Sequence, residues 1–420
     1  MAENIIAGLD VGSTEIRLVI GQHDRDDKLQ IIGAVSVPSQ GINKGVVKSI
    51  EDVTSSISEC LEKAERLVGV PVESVWVSIN SPFVRCEKSR GVVAVSRSDG
   101  EISQDDIERA LEAARALSVP PNYEIIHVVP VKFIVDNQED IKDPIGMTGV
   151  RLEVVTLIIQ GLSSQIKNLT KAIFRTGLDI DDLVLSPLAA AEAVIGSRQK
   201  EIGSALINIG AATTSLAVFE EGELLHTAVI PIGSDHITSD IAIGLRCPIS
   251  LADKIKVTFG SANPEKFDAE QQFDIRKISE EDGAQDEVSE ISAKYLAEII
   301  EARVEEIFEK VDQELKKIER SGMLPGGVFL VGGGTKLTDI VDIAKRHLRL
   351  PASLGRNTNI STIIDKANDT EYLNALGLVA WGDQTRDNSH SKGFSLKMPK
   401  GESVAKIADK AKKWIQSLIP

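Results

Sequence analysis

Positive charge is scarce in this chain of 420 residues: 47 Lys and Arg stand against 63 Asp and Glu, for a formal net charge of −16. Phosphate binding by a nucleic-acid protein needs a basic surface, so nucleic acid is excluded as the main partner. Cysteine is scarcer still. Cys60, Cys86 and Cys247 form an odd, widely spaced set without paired metal-ligand spacing, and they read as buried small hydrophobes in a reducing compartment. The first residues, MAENIIAGLDVG, show no basic stretch followed by an apolar run and a small-residue cleavage site, which argues against an export signal. No window approaches the ~18 consecutive apolar residues of a spanning helix. The expectation is a cytoplasmic protein whose contact with membrane is peripheral.

What is present is ordinary for a globular chain, with 42% hydrophobic and 26% charged residues and enough length for two or more domains. Residues 5–20, IIAGLDVGSTEIRLVI, read as two Ile/Val/Leu-rich strands joined by a turn at Gly12, Ser13 and Thr14. A helix is expected at 49–68, where Ile50, Val53, Ile57, Leu61, Ala64 and Val68 recur at helical spacing, and SVWVSIN after it reads as a buried strand. Residues 84–161 look like a separate α+β module, with a helix opened by Ser103 as N-cap and acidic residues in its first turn. That module shows no nucleophile or metal set and reads as a folded insertion that makes contacts. A second strand–turn–strand, ALINIGAATTSLAVFEEGELL, follows the first by about 200 residues, an internal repeat of the kind that binds a ligand between duplicated halves. Residues 237–310 have a mostly helical pattern interrupted by a polar segment around 261–290. VFLVGGGTKLTDIVDIAKRHL then gives a buried strand, three glycines and a helix starting near Thr338. From Gln384 to Glu402 apolar periodicity is missing and a flexible tether is expected; it resumes strongly over 403–420.

Three turns rich in glycine and hydroxyl residues therefore recur in order: Asp10–Thr14, Gly210–Thr214 and Gly332–Thr335. Each follows an Ile/Val/Leu strand. Glycine lets backbone approach a phosphate closely, while N–H groups and hydroxyls donate to its oxygens. One such turn is weak evidence of phosphate binding; three beside repeated hairpins favour it.

The first turn resembles the phosphate-1 motif of the actin, sugar-kinase and chaperone superfamily, the second its phosphate-2 motif, and VGGGTKL its adenosine motif. Within that superfamily the chain is most similar to the FtsA family over nearly its whole length, through PIGSDHITSDIAIGLRCPISLADKIKV, LAEIIEARVEEIF and the final amphipathic segment. The resemblance implies an α/β, actin-like (ribonuclease H-like) two-lobed fold with an inserted α+β subdomain 1C. It divides the chain into 1A (1–83, 162–198 and 360–383), 1C (84–161), 2A (199–236 and 311–359), 2B (237–310), a linker (384–402) and a membrane-targeting amphipathic helix (403–420).

The same resemblance implies ATP and Mg²⁺ as cofactors. Asp10 would stand near the nucleotide-bound Mg²⁺, commonly through water. Gly12, Ser13 and Thr14 would face the phosphates, with Gly210, Ala211, Thr213 and Thr214 closing from the other half. Gly332, Gly333 and Gly334 would let the adenosine lie against backbone. Lys256 is a candidate ribose or base contact, or equally a solvated helix lysine. Two positions depart from the superfamily pattern. Asn208 stands where an Asp is usual, and it lacks the charge that holds Mg²⁺ or assists water attack. Ser186 stands near where hydrolytic members place Glu or Gln and cannot act as a comparable base. The expectation is nucleotide binding with slow or negligible hydrolysis.

In 403–420 the residues Ile407, Trp414, Ile415, Leu418 and Ile419 continue an apolar stripe, opposed by Lys406, Lys410 and Lys413. A basic amphipathic helix with Trp suits an anionic membrane surface. A terminal helix docked on the core would carry the same stripe, but the polar tether before it favours the membrane. The resemblance adds partners: self-association into a homopolymer, other division proteins through 84–161, and the C-terminal tail of the tubulin-like FtsZ. For that tail Arg303 is a candidate contact and Lys294 a weaker one, against the alternative that Arg303 pairs with Glu301 or Glu306 on its own helix. The composite reading is a cell-division protein that assembles on the inner face of the membrane and tethers FtsZ filaments. The competing readings are a PilM-like pilus-assembly protein and a small-molecule kinase.

Overall fold

A computed structural model describes residues 5–24, 28–116, 120–276, 278 and 290–390. Its frame is two sheets built to one plan. In the first, Ile5–Val11 forms an antiparallel hairpin with Glu15–His23, which pairs with Leu29–Pro38. On the other side Ile5–Val11 runs parallel to Ser74–Ile79, and that strand parallel to Asp179–Leu185. In the second sheet Ser204–Ile209 forms the hairpin with Thr214–Glu220, followed by Glu223–Ile230. Its parallel neighbours are Gly327–Val331 and then Ala352–Leu354. The order third–second–first–fourth–fifth and the strand directions are the same in both, and the first sheet adds a short sixth strand, Ser361–Thr362, parallel to Leu29–Pro38. The repeat expected from the two hairpins thus extends to whole sheets.

Central strands covered on both faces are apolar over most of their length, with polar residues such as Asp10 and Asn208 at their cleft ends. All six residues of Ser204–Ile209 are buried, as are the five inner residues of Ile5–Val11. Against the first sheet lies the helix Ile50–Val68, which buries Val53, Ile57, Cys60 and Ala64 on one stripe. Ser49 caps its start by accepting from Asp52 N–H, and Gly69 ends it in the left-handed conformation at φ 75°. Burial pushes the Cys60 thiol up to about 12, which leaves it an inert core group. The helices Ser186–Val194 and Leu373–His390 pack closely between the sheets. A Cβ on Gly377 would stand 1.9 Å from Ala189 O, so this backbone approach requires glycine.

The inserted module is a four-stranded antiparallel sheet, in the order Arg85–Ala94, Arg151–Leu162, Tyr123–Val135, Gln138–Ile141. The helix Gln104–Ala116 covers it over a small core of its own that includes Ile102, Ile107, Ala110, Phe133 and Leu152. Its first turn is set by Asp106, which is fully buried and accepts from Ser96 N, Ser103 N and Ser103 Oγ. Those donors hold its carboxyl well below the usual range despite burial.

One segment differs from expectation. The last helix runs through His390, so Gln384–His390 is helical instead of irregular tether. Once a helix is nucleated by a packed stretch such as Leu373–Ala380, each further turn adds hydrogen bonds at little cost, even without an apolar face.

Candidate functional site

Each sheet sends its hairpin turn into the space between them. In the first, Gly12 N donates to Glu15 O at 3.1 Å; in the second, Gly210 N donates to Thr213 O at 2.9 Å. The two turns are the same device, and each has a polar residue two positions before its first glycine: Asp10 in one, Asn208 in the other. Between them opens a cleft of about 460 Å³.

The cleft gathers most of the residues the sequence singles out. Asp10, Gly12, Ser13 and Thr14 line it from the first turn; Gly210, Ala211 and Thr213 from the second; Gly332, Gly333 and Gly334 from the third; and Lys256 from the helix Ile249–Phe259. Thr214 stands apart from this lining. It opens the return strand, fully buried, because successive strand residues point to opposite faces and Thr213 takes the cleft side. Lys256 is engaged within the protein, donating to Thr238 Oγ1 at 2.6 Å and Asp253 Oδ1 at 2.7 Å.

Local geometry explains the glycines. Gly332 has φ 92°, and a Cβ there would fall 2.4 Å from Asn208 Oδ1 and 2.5 Å from Ile209 O. The third turn therefore lies against the foot of the second hairpin. The helix Ser234–Leu245 is fixed to the second turn from the other side, with Ser234 N donating to Gly210 O at 2.9 Å and Asp235 N to Ala211 O at 2.8 Å. Burial raises the Asp235 carboxyl, a shift that Lys256 reduces.

At the cleft floor Asp10 is 6% exposed. Ser78 Oγ donates to its Oδ1 at 2.5 Å and Asn374 Nδ2 to its Oδ2 at 3.3 Å. Asn208 donates to Asn374 Oδ1 at 3.2 Å, while its own Oδ1 is buried without a hydrogen-bond partner. A carboxylate with spare lone pairs beside an unpartnered amide oxygen suits a hydrated hard cation, which takes oxygen ligands and keeps several waters. Among the described residues no group of three or more His, Cys, Asp and Glu is placed to hold a metal alone, so a cation here would depend on ligand oxygens. Ser186 lies outside the cleft lining. It is fully buried and donates to Ile79 O at 3.2 Å.

Sequence reading missed several residues of the lining: Arg17, Asn80, Glu371 and Asn374. Glu371 accepts from Lys336 at 2.8 Å and lies 3.6 Å from Arg17, which also pairs with Glu15 at 2.5 Å. The usable signal was polarity in an apolar context. Asn374 interrupts the buried run Leu373, Ala375, Leu376, and a buried polar side chain requires partners.

The cleft does not reach the two residues expected at a partner surface. Arg303 and Lys294 share the 25-residue helix Ala293–Lys317, but nine positions put them on opposite sides, about 14 Å apart along the axis. Arg303 is bidentate to Asp240, at 2.6 and 2.9 Å, and also pairs with Glu306. The hydrogen bonds it donates to Asp240 raise its pKa further, so its charge is well compensated inside the protein. Glu301 instead meets Arg346, at 2.5 Å. Ile407, Trp414, Ile415, Leu418 and Ile419 lie outside the described residues. No helix among the described residues is long and apolar enough to cross a membrane.

With this geometry in hand, known proteins give a consistent comparison. The family model for the SHS2 domain inserted in FTSA matches residues 83–160, and the model for cell division protein FtsA matches 205–377. Cell division protein FtsA of Pseudomonas aeruginosa is 32% identical, over 98% of this chain and 97% of that protein. Its counterpart in Bacillus subtilis is 35% identical, over 96% and 89%. Among solved structures, the PilM-PilN type IV pilus biogenesis complex aligns at TM-score 0.65 with 16% identity, covering 90% of this chain and 98% of that one. MreB5 of Spiroplasma citri bound to ADP aligns at TM-score 0.54 with 12% identity, covering 93% and 99%. At such identities these structures show the fold alone, and that fold is the actin-like one.

Proposed function

This chain belongs to the FtsA family of cell-division proteins, and on that premise we propose that it binds ATP with Mg²⁺ in the cleft, hydrolyses it slowly or not at all, and assembles on the inner face of the membrane to tether FtsZ filaments. The observation that carries the nucleotide reading is convergence. Three Gly/hydroxyl turns, separated by about 200 and then about 120 residues, line one cleft between duplicated sheets. A neighbour of the same fold holds ADP. Asp10 and Asn208 would face the cation, whose role there is to neutralise phosphate charge.

Slow hydrolysis follows from what the cleft offers. Asn208 replaces a carboxylate, and Ser186 spends its hydroxyl on Ile79 O, so neither can take a proton from water. The same facts count against a small-molecule kinase, and the family match leaves PilM as a relative in fold.

The FtsZ tail would dock beside the helices Ser234–Leu245 and Ala293–Lys317. Ile243 and Tyr295, exposed at 76% and 46%, offer apolar anchors there. Lys294, next to Tyr295, supplies a cation, whereas Arg303 holds the two helices together through Asp240. The segment 403–420 would bind anionic lipid at about 1 kcal/mol per lysine near the surface, weakly for one copy and tightly for an assembled row.

Co-sedimentation with anionic vesicles, with and without ATP, tests the membrane and nucleotide parts of this reading. The full chain should pellet, more so with ATP, and a chain ending at Glu402 should stay in solution. Equal behaviour of the two chains removes the tether.

A further inference from the structure

Asn374 sits on the floor of the cleft, at the second position of the helix Leu373–His390, and belongs to none of the three turns. It is 9% exposed, between Leu373 and Ala375, which are fully buried. An amide in such a place is tolerated only when its donor and acceptor are both used. They are used by the two equivalent positions of the duplicated hairpins: Nδ2 donates to Asp10 Oδ2 at 3.3 Å, and Oδ1 accepts from Asn208 Nδ2 at 3.2 Å.

The direction of this chain of bonds is forced. An ionised carboxylate only accepts, so Asp10 takes the amino end of Asn374. The carbonyl end then faces Asn208, which must answer with its own amino group. The oxygen of Asn208 is thereby left over, and it is the buried acceptor without a partner, lying against Gly332. Ser78 fixes the other oxygen of Asp10 at 2.5 Å.

We propose that Asn374 is a positioning residue for the cation that accompanies the nucleotide. It orients the Asp10 carboxylate and ties it to the Asn208 amide, so that Asp10 presents oxygen to the hydrated ion, without touching the ion itself. This rests on the nucleotide reading above. It also means that one side chain, from neither hairpin, ties the cation-facing residue of one half to the matching position of the other.

The test is binding of mant-labelled ATP to the full chain in Mg²⁺ and in EDTA, for the natural protein, Asn374→Leu and Asn374→Ala. Leu keeps the volume and loses both bonds without adding charge; Ala loses the bonds and the volume. Partners that orient metal ligands are worth 10–100-fold in affinity, so each variant should bind roughly tenfold more weakly in Mg²⁺ and within about twofold of the natural protein in EDTA. Variants that keep the full Mg²⁺ enhancement overturn the inference. So does an equal loss in both buffers, or melting of both variants at assay temperature, since either marks a scaffold residue only. A natural chain that binds ATP without Mg²⁺ enhancement overturns this inference and leaves the nucleotide reading standing. A natural chain that binds no ATP in either buffer removes the nucleotide reading itself.

Discussion

Asn80, which follows the strand Ser74–Ile79 of the first sheet, donates Nδ2 to Thr213 Oγ1 of the second turn at 3.2 Å, so the two halves meet through side chains at the cleft wall. The Asn80 Oδ1 atom is buried without a partner. A ligand held between the turns would sit beside this bond and gain from the closure it supports. Asn80→Ala should therefore weaken ATP binding about fivefold, the order expected for one net hydrogen bond, with little change in melting temperature. Titration with labelled ATP decides it, and an unchanged affinity removes Asn80 from the site.

The glycines of the third turn are unequal. Ala at 332 would need φ 92° and would drive its Cβ into Asn208 Oδ1 and Ile209 O, whereas a Cβ at 333 meets only Glu371 Oε2, at 3.9 Å. Gly332→Ala should cost about 2–4 kcal/mol in stability through strain and overpacking. Gly333→Ala should stay within about 0.5 kcal/mol, as substitutions away from such features do. Thermal melts of the two variants side by side give the comparison, and similar losses would show that space and φ are not what selects glycine here.

Asp182 is half-buried in the edge strand Asp179–Leu185 opposite Trp76. Burial, with a smaller push from Asp181, takes its carboxyl up to about 6, although Leu183 N–H pulls the other way. The unfolded value is near 3.9. The folded pKa is thus raised, so its stabilising contribution is complete below pH 4 and is lost as pH rises through 6. Asp182→Asn should be more stable than the natural chain by about 2 kcal/mol at pH 8, with the gap narrowing steadily towards pH 4. Urea melts across that range would show a constant gap if the carboxyl were not perturbed.

Ile243 is 76% exposed on the helix that Arg303 grips through Asp240. If the FtsZ tail docks on this apolar patch, Ile243→Asp should weaken capture of a synthetic tail peptide at least about tenfold, as loss of a central anchor does. Nucleotide binding and melting temperature should not move. A peptide that binds the variant equally well must be docking elsewhere.

The sequence made much of this frame legible because each hairpin and the helix Ile50–Val68 carry their own period and punctuation. Apolar alternation, a Gly turn or a Ser cap acts within a few residues and can be read there. Partnerships over distance left no such trace. The pairing of Arg303 with Glu306 on its own helix is legible from spacing, whereas its bidentate partner Asp240 lies 63 positions away. Asn80 and Asn374 are single amides in apolar surroundings, and only the crossing of two chain segments gives them a role. Thr214 lies off the cleft lining, and a hydroxyl-rich turn does not reveal which of its hydroxyls the pleat turns inward. Gln384–His390 has the composition of a loop and is helical through continuity with the packed turns before it.

The two sheets share strand order and direction, which is the signature of a duplicated half-molecule facing its copy. Left identical, such halves would make a cavity with near-twofold symmetry, indifferent to which way round an occupant lay. Here the matching positions have diverged, with an acidic side chain at 10 and a neutral one at 208, and only the second half carries the Gly332–Gly334 turn. The architecture is thus repeated in shape and polarised in charge. That polarity gives an asymmetric occupant a single heading, and every copy of the chain that holds one points it the same way.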